Sequence, residues 1–223
     1  MRNMQKEIGT SFTKLVELRD QHDSVGKSLM DQCSGKLYPC DGLYFAILNR
    51  SLELFDGVVL LLEQGNYGCC MALLRLQLDN VLRFYGVLST NDPHSTANKV
   101  LNGEKLSSLK GADGQKLSDR NLVDMMAKQN PWVDHVYELA CSYIHLSDQH
   151  FYQMLGRSDK IDDGKREICI GSGDEHLDPQ HKLELINAFK VITEGLFKLL
   201  PEWRKLATQY SESELENSYS VLA

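Results

Sequence analysis

Apolar residues recur at intervals of three and four through most of this chain, most strongly between Asp41 and Thr90. Phe45, Leu48, Leu52, Phe55, Val59 and Leu62 form one stripe. Cys70, Leu73, Leu74, Leu78, Val81, Leu82, Tyr85 and Leu88 form a second. That spacing is the period of a helix face. Asp41 is expected to cap the first helix, because its carboxylate can accept from the free amides of the first turn. Gly65-Asn66 stops that helix, both residues tolerating positive φ, and the second helix is expected from about Tyr67 to Leu88. Each would be roughly 33 Å long. So short a connection makes the pair antiparallel. Asn49, Arg50, Glu53 and Asp56 interrupt the first helix and Arg75, Asp79 and Arg83 the second. No run approaches the roughly 20 apolar residues of a membrane span.

The same periodicity places elements on either side. Residues 3–32 read as an amphipathic helix on Ile8, Phe12, Leu15, Val16, Leu18, Val25 and Leu29, with a break expected at Gly26 or in the polar run Arg19–Ser24. Pro39 forces Tyr38 out of helical geometry, so 33–40 is a connection. Asn91-Asp92-Pro93 ends the hairpin, and a short helix covers Ser95–Leu101. Gly103, Gly111 and Gly114 mark loops, with Asp113-Gly114 a tight turn. Ser118 caps a helix to about Gln129, and Asn130-Pro131 opens another running to Ser147. Phe151–Leu155 and Glu167–Ile170 alternate in part and flank a polar, turn-prone stretch, so a β-hairpin or extended flap is expected there. Asp178-Pro179 opens the last long helix, carried by Leu183, Ile186, Phe189, Ile192, Leu196 and Leu199, with Pro201 kinking or restarting it.

The sum is an all-α helical bundle built on a long antiparallel helix hairpin, with at most a small β-hairpin insertion. Residues 1–210 read as a single helical domain, 158–178 as an acidic loop or β-hairpin within it, and 211–223 as a Ser- and Glu-rich flexible tail.

Composition narrows the classes. The 223 residues fit one large domain, and a net charge of −7 argues against a general electrostatic grip on nucleic acid or anionic membrane. RNA as a partner therefore gets no support from net charge, although a local basic patch stays open. The first residues carry no apolar signal core. Six cysteines with no CxxC support neither a disulfide framework nor a zinc cluster, and a reduced, cytoplasmic protein is the natural reading.

Candidate chemistry is sparse. Gly171-Ser172-Gly173 lacks the residues of a phosphate loop, and there is no GxSxG or HExxH. No cofactor is implied. His145, Asp148 and His150 hold donor atoms, but such triplets are common by chance and no metal site is assigned. Arg75, Asp79 and Arg83 stand at i, i+4 and i+8. The simpler reading is an exposed ion-pair ladder worth a few tenths of a kcal/mol per pair. The alternative is a polar seam facing a cleft between helices. The helix Pro131–Ser147 carries Tyr137, Cys141 and His145 on one face and Glu138, Ser142 and His145 near another. A histidine near a helix C-terminus is favoured as imidazolium and could serve as an acid, or simply be satisfied by Ser142 or a carbonyl.

An arginine and an acid on the second hairpin helix (Arg75, Asp79) precede a Gly-Lys-Leu-Ser-Asp-like loop over Gly114–Asp119. A helix with Trp132 and Tyr137 then ends in Ser142, His145 and Ser147. Together these resemble an uncharacterised group of bacterial all-helical proteins, similar in style to the HEPN superfamily, over about residues 42–155. Active HEPN members carry an arginine four to six residues before a histidine on one helix, as a metal-independent RNA-cleaving site at a dimer interface. This chain departs from that pattern, since the nearest arginine before His145 is Arg120. What the resemblance implies here is a composite site of Arg75, Asp79, Ser142, Tyr143 and His145. It also implies a homodimer with a protein partner, in a bacterial defence or toxin–antitoxin setting. Two readings follow: a helical interaction module of unknown specific role, and an RNA-binding protein or ribonuclease of the HEPN kind. Resemblance of fold does not by itself transfer function.

Overall fold

The structure is a computed structural model that describes residues 2–33, 37–158 and 168–207. Its centre is the expected hairpin, α3 (Pro39–Glu63) and α4 (Tyr67–Leu88). Gly65 turns the chain at φ +64°, a conformation that costs glycine nothing. Asn66 then caps α4, its side-chain oxygen accepting from the Cys69 N–H at 3.2 Å. α3 begins three residues earlier than expected, with Tyr38 and not Asp41 at the cap position. Pro39 presets its first turn and Tyr38 stays extended at φ −101°, ψ 161°. Asp41 is thus not the cap residue but lies in the first turn, accepting from the Tyr38 N–H at 3.1 Å.

α4 is the axis of the molecule. It buries residues all round its circumference, among them Cys70, Met71, Leu74, Arg75, Leu78, Val81, Phe84 and Val87. A helix buried on every side needs partners on every side. They are α3, α9 (Pro179–Ala207), α6 (Asp119–Ala127) and α7 (Trp132–Ile144). Gly86 allows the closest of these approaches, because a Cβ there would meet Leu122 Cδ2 of α6 at 2.8 Å. α1 (Arg2–Val16) and α2 (Arg19–Cys33) lie against α9 and α3, and α5 (Pro93–Leu101) against α3 and α4. The core joins these layers through Tyr44, Phe55, Phe84, Phe189 and Trp203, all nearly or fully inaccessible. Tyr44 donates its hydroxyl to the Leu196 carbonyl at 3.1 Å, satisfying a polar atom the core would otherwise penalise.

Several boundaries differ from the sequence reading. The N-terminal helix breaks at 17–18, not at Gly26, which lies inside α2 with its Cα facing Leu48 and Phe45. α7 ends at Ile144, and Ser147 caps a further helix, α8 (Asp148–Gly156), its hydroxyl accepting from the Gln149 N–H. Phe151–Leu155 is therefore helix and not one arm of a β-hairpin; the cap outweighed a short alternation that fits either period. Residues 168–170 form no strand among the described residues, and 159–167, the middle of the expected flap, lie outside them, as do the residues from 208 on. α9 runs continuously through Pro201. The loop around Asp113-Gly114 forms as expected, with Gly114 at φ +79° and a single antiparallel bridge between Lys110 and Lys116. Among the described residues no helix is long and apolar enough to cross a membrane.

Candidate functional site

The i, i+4, i+8 series on α4 is largely enclosed, with Arg75 and Asp79 buried and Arg83 at its partly open end. α6 and α7 pack across it, and the expected exposed ladder is instead an inward polar seam. The cause is the burial of α4 round most of its circumference, which encloses Arg75 and Asp79 and leaves Arg83 partly exposed.

Arg75 is the centre of the seam, with 8% of its side chain exposed. Its Nη2 donates to Asp119 Oδ2 at 3.1 Å and its Nε to Cys141 Sγ at 3.3 Å. Its Nη1 stands 3.9 Å from Asp79 Oδ1. The guanidinium lies 4.3 Å from the ring centroid of Tyr137, a cation–π distance. Tyr137 and Cys141 are one turn apart on α7, which is why the same guanidinium meets both. Arg83 donates from Nε to Asp79 Oδ2 at 2.8 Å and from Nη2 to Asp119 Oδ1 at 3.3 Å. Arg50, from α3, reaches the same cluster through Nη1, 3.4 Å from Asp79 Oδ2 and 2.6 Å from Asn80 Oδ1. Asp119 is positioned by Ser118, whose hydroxyl accepts from the Asn121 N–H and starts α6. Three guanidinium groups thus meet two carboxylates, an excess of one positive charge in a chain whose net charge is −7.

From Asn80 the polar contacts continue into the core. Asn80 Nδ2 donates to Gln77 Oε1 at 3.1 Å. Gln77 Nε2 donates to Ser51 Oγ at 2.7 Å and to Thr193 Oγ1 at 2.9 Å. Ser51 Oγ meets His22 Nε2 at 2.9 Å, and His22 Nδ1 lies 3.1 Å from the Leu18 carbonyl. A carbonyl can only accept, so Nδ1 carries the proton and Nε2 accepts from Ser51. Burial lowers the His22 pKa, in keeping with a neutral ring. Every donor from Arg50 to His22 therefore points the same way, and such an aligned series polarises its own members.

The candidates from the sequence fall in different places. Arg75 and Asp79 are together in the seam. Tyr143 is on the opposite flank of α7, its ring 5.8 Å from that of Tyr67 and its hydroxyl accepting from Gln153 Nε2 at 3.1 Å. Burial raises its pKa. Ser142 donates to the Leu139 carbonyl of its own helix at 2.6 Å. His145 follows the last turn of α7 with extended backbone at ψ 144°, and its side chain is exposed. Its imidazole makes no hydrogen bond among the described residues. Glu138 pairs with Arg120 at 2.7 Å on the outer surface. The sequence reading missed Arg50, Asn80 and Asp119 as members of the seam. For Asp119 a signal existed, since an acid following the Ser118 cap is a first-turn residue facing a neighbouring helix. For Arg50 there was none, because only packing decides whether the single arginine of α3 turns toward α4.

Chemically the seam is a charged clasp that ties α3, α4, α6 and α7 together. Comparison with known proteins gave no matching family, no matching curated protein and no matching solved structure.

Proposed function

We propose that this protein is a helical interaction module that works as a homodimer joined through the end of the molecule where α7 meets α8. The observation that carries the reading is the exposure of apolar side chains there. Leu146 is 93% exposed, Tyr152 61% and Phe151 56%, with Ile144 beside them in sequence. Fully burying each such side chain would contribute about 1.5–3 kcal/mol, and exposed apolar side chains gathered in one stretch of chain are what an interaction site offers. A second copy suits the surface electrostatically. Between 144 and 152 only Asp148 carries a formal charge, so two acidic chains would bring a single carboxylate each to this patch. Self-association through one shared patch is also the commonest oligomer geometry.

The alternative, an RNA-cleaving protein of the HEPN kind, requires an arginine and a histidine on one phosphate. Arg75 is enclosed and already engaged by Asp119, Cys141 and Tyr137, whereas His145 lies at the solvent end of α7. We therefore give the weight to the interaction module.

Sedimentation velocity on the native chain and on Leu146→Asp and Phe151→Asp tests it. The native chain is expected to sediment as a dimer and both variants as monomers with unchanged circular dichroism. A native chain that stays monomeric at tens of micromolar would overturn the reading. Mixed RNA incubated without metal, beside His145→Ala, separates the alternative: intact RNA in both is expected, and cleavage lost only in the variant would restore the nuclease.

A further inference from the structure

The positive excess of the seam opens onto a cleft on the far side of α4 from α7. The cleft has a volume of about 510 Å³ and lies between α3, α4, α5 and the turn Leu106–Ser108. That volume falls within the roughly 300–1,000 Å³ of small-molecule sites. Leu43, Ile47, Val87 and Leu106 make its walls apolar. Arg50, Asn80 and Arg83 stand at its polar end, and Lys105 with Glu104 on its rim.

We propose that this cleft binds a small organic monoanion with an aliphatic body, a medium-chain carboxylate, whose head lies on Arg50 and Arg83. Three observations converge. The first is charge: the five ionised groups of the seam sum to +1 and Glu104 and Lys105 cancel, so one negative charge neutralises the cluster and two would overshoot it. The second is available donors. Arg50 is 41% exposed, lines the cleft and uses only Nη1 toward Asp79 and Asn80, so its Nε and Nη2 make no hydrogen bond among the described residues. An arginine fork of this kind matches a carboxylate in two parallel bonds. The third is preorganisation. Gln77 fixes the Asn80 amide by accepting from its Nδ2, which turns Asn80 Oδ1 toward Arg50 and holds that guanidinium in place before a ligand arrives. The walls then contribute apolar burial for the chain of the ligand, which a bare inorganic anion could not use.

The test is a titration of the full chain with sodium octanoate, octan-1-ol and octyl phosphate, followed in amide correlation spectra. Octanoate is expected to shift the amides lining the cleft saturably, and octanol and octyl phosphate to bind at least about tenfold more weakly. Arg50→Met, which keeps the aliphatic stem, is expected to weaken octanoate by about tenfold or more and to leave octanol unchanged; Arg50→Lys, with charge but no fork, is expected between the two. No saturable shift with octanoate, equal binding of octanoate and octanol, tighter binding of octyl phosphate, or an Arg50→Met chain that binds octanoate as well as the native one would each overturn the proposal. Should Arg50→Met lose its dispersed spectrum, the three ligands on the native chain still decide it.

Discussion

Arg75 of α4 lies over the ring of Tyr137 of α7, its guanidinium carbon 4.3 Å from the ring centroid, with Asp119 of α6 at 3.1 Å from its Nη2. One side chain thereby fixes the relative position of three helices. Its charge is largely removed from water, so its value to the fold depends on its partners remaining in place.

Truncating Arg75 is accordingly expected to be costly. Arg75→Ala leaves Asp79 and Asp119 short of a partner and should lower stability by about 3–5 kcal/mol in urea unfolding. Asp119→Asn should cost less, because Asp119 is more exposed and Asp79 still faces Arg75. The two changes share one interaction, so the double variant should lose less than the sum by about 1 kcal/mol or more. Strict additivity would mean that the pair is not coupled.

A second buried carboxylate, Asp41, joins α3 to α9. It is fully inaccessible and accepts from Trp203 Nε1 at 2.6 Å, with Arg204 Nη1 at 3.5 Å. Asp41→Ala leaves the Trp203 indole N–H without its acceptor and Arg204 without its carboxylate, although Arg204 still donates to the Gln32 carbonyl, and is expected to cost about 2–4 kcal/mol. Asp41→Asn keeps an acceptor for Trp203 and should retain part of that stability. Equal unfolding midpoints for Asp41→Ala and the native chain would show that α3 does not depend on α9 here.

Acid is expected to weaken the fold through its buried imidazoles. Burial lowers the pKa of His22 below its ordinary 6.5, and that of His94 likewise. The unfolded chain takes up protons near the ordinary value while the folded chain resists them. The stability is thus complete above about pH 6.5 and is lost as pH falls from there through the lowered folded value. Melting temperatures at about pH 7.5 and about pH 5.5 should show this fall, and a smaller one in His22→Gln. An identical fall in that variant would remove His22 from the account.

The thiols should separate sharply in reactivity. Cys69 is exposed at the start of α4, while burial pushes Cys33 to about 11, Cys70 to about 12 and Cys40 far up as well. An aromatic disulfide reagent at about pH 8 is expected to modify Cys69 rapidly and the three buried thiols only on unfolding. Cys69→Ala should abolish the fast phase; a fast phase that survives would assign it to Cys141 or Cys169.

What the sequence determined by itself is local. The three–four spacing of Phe45 to Leu62 and Cys70 to Leu88, the Gly65 turn, the Asn66, Ser118 and Asp178 neighbourhoods and the helix-starting Pro179 are each decided by neighbours within a few residues, and each formed where that chemistry required. A short stretch such as Phe151–Leu155 carries no such margin, and the Ser147 cap outside it chose helix over strand. Tertiary structure decided which way Arg75, Asp79 and Arg83 point. Their spacing is the same whether α4 lies on the surface or at the centre, and only the arrival of α6 and α7 on that face turned an ion-pair ladder into a buried seam. It also recruited Arg50 and Asp119, 25 residues before and 44 after Arg75, because side chains distant along the chain become partners only once the helices that carry them are packed.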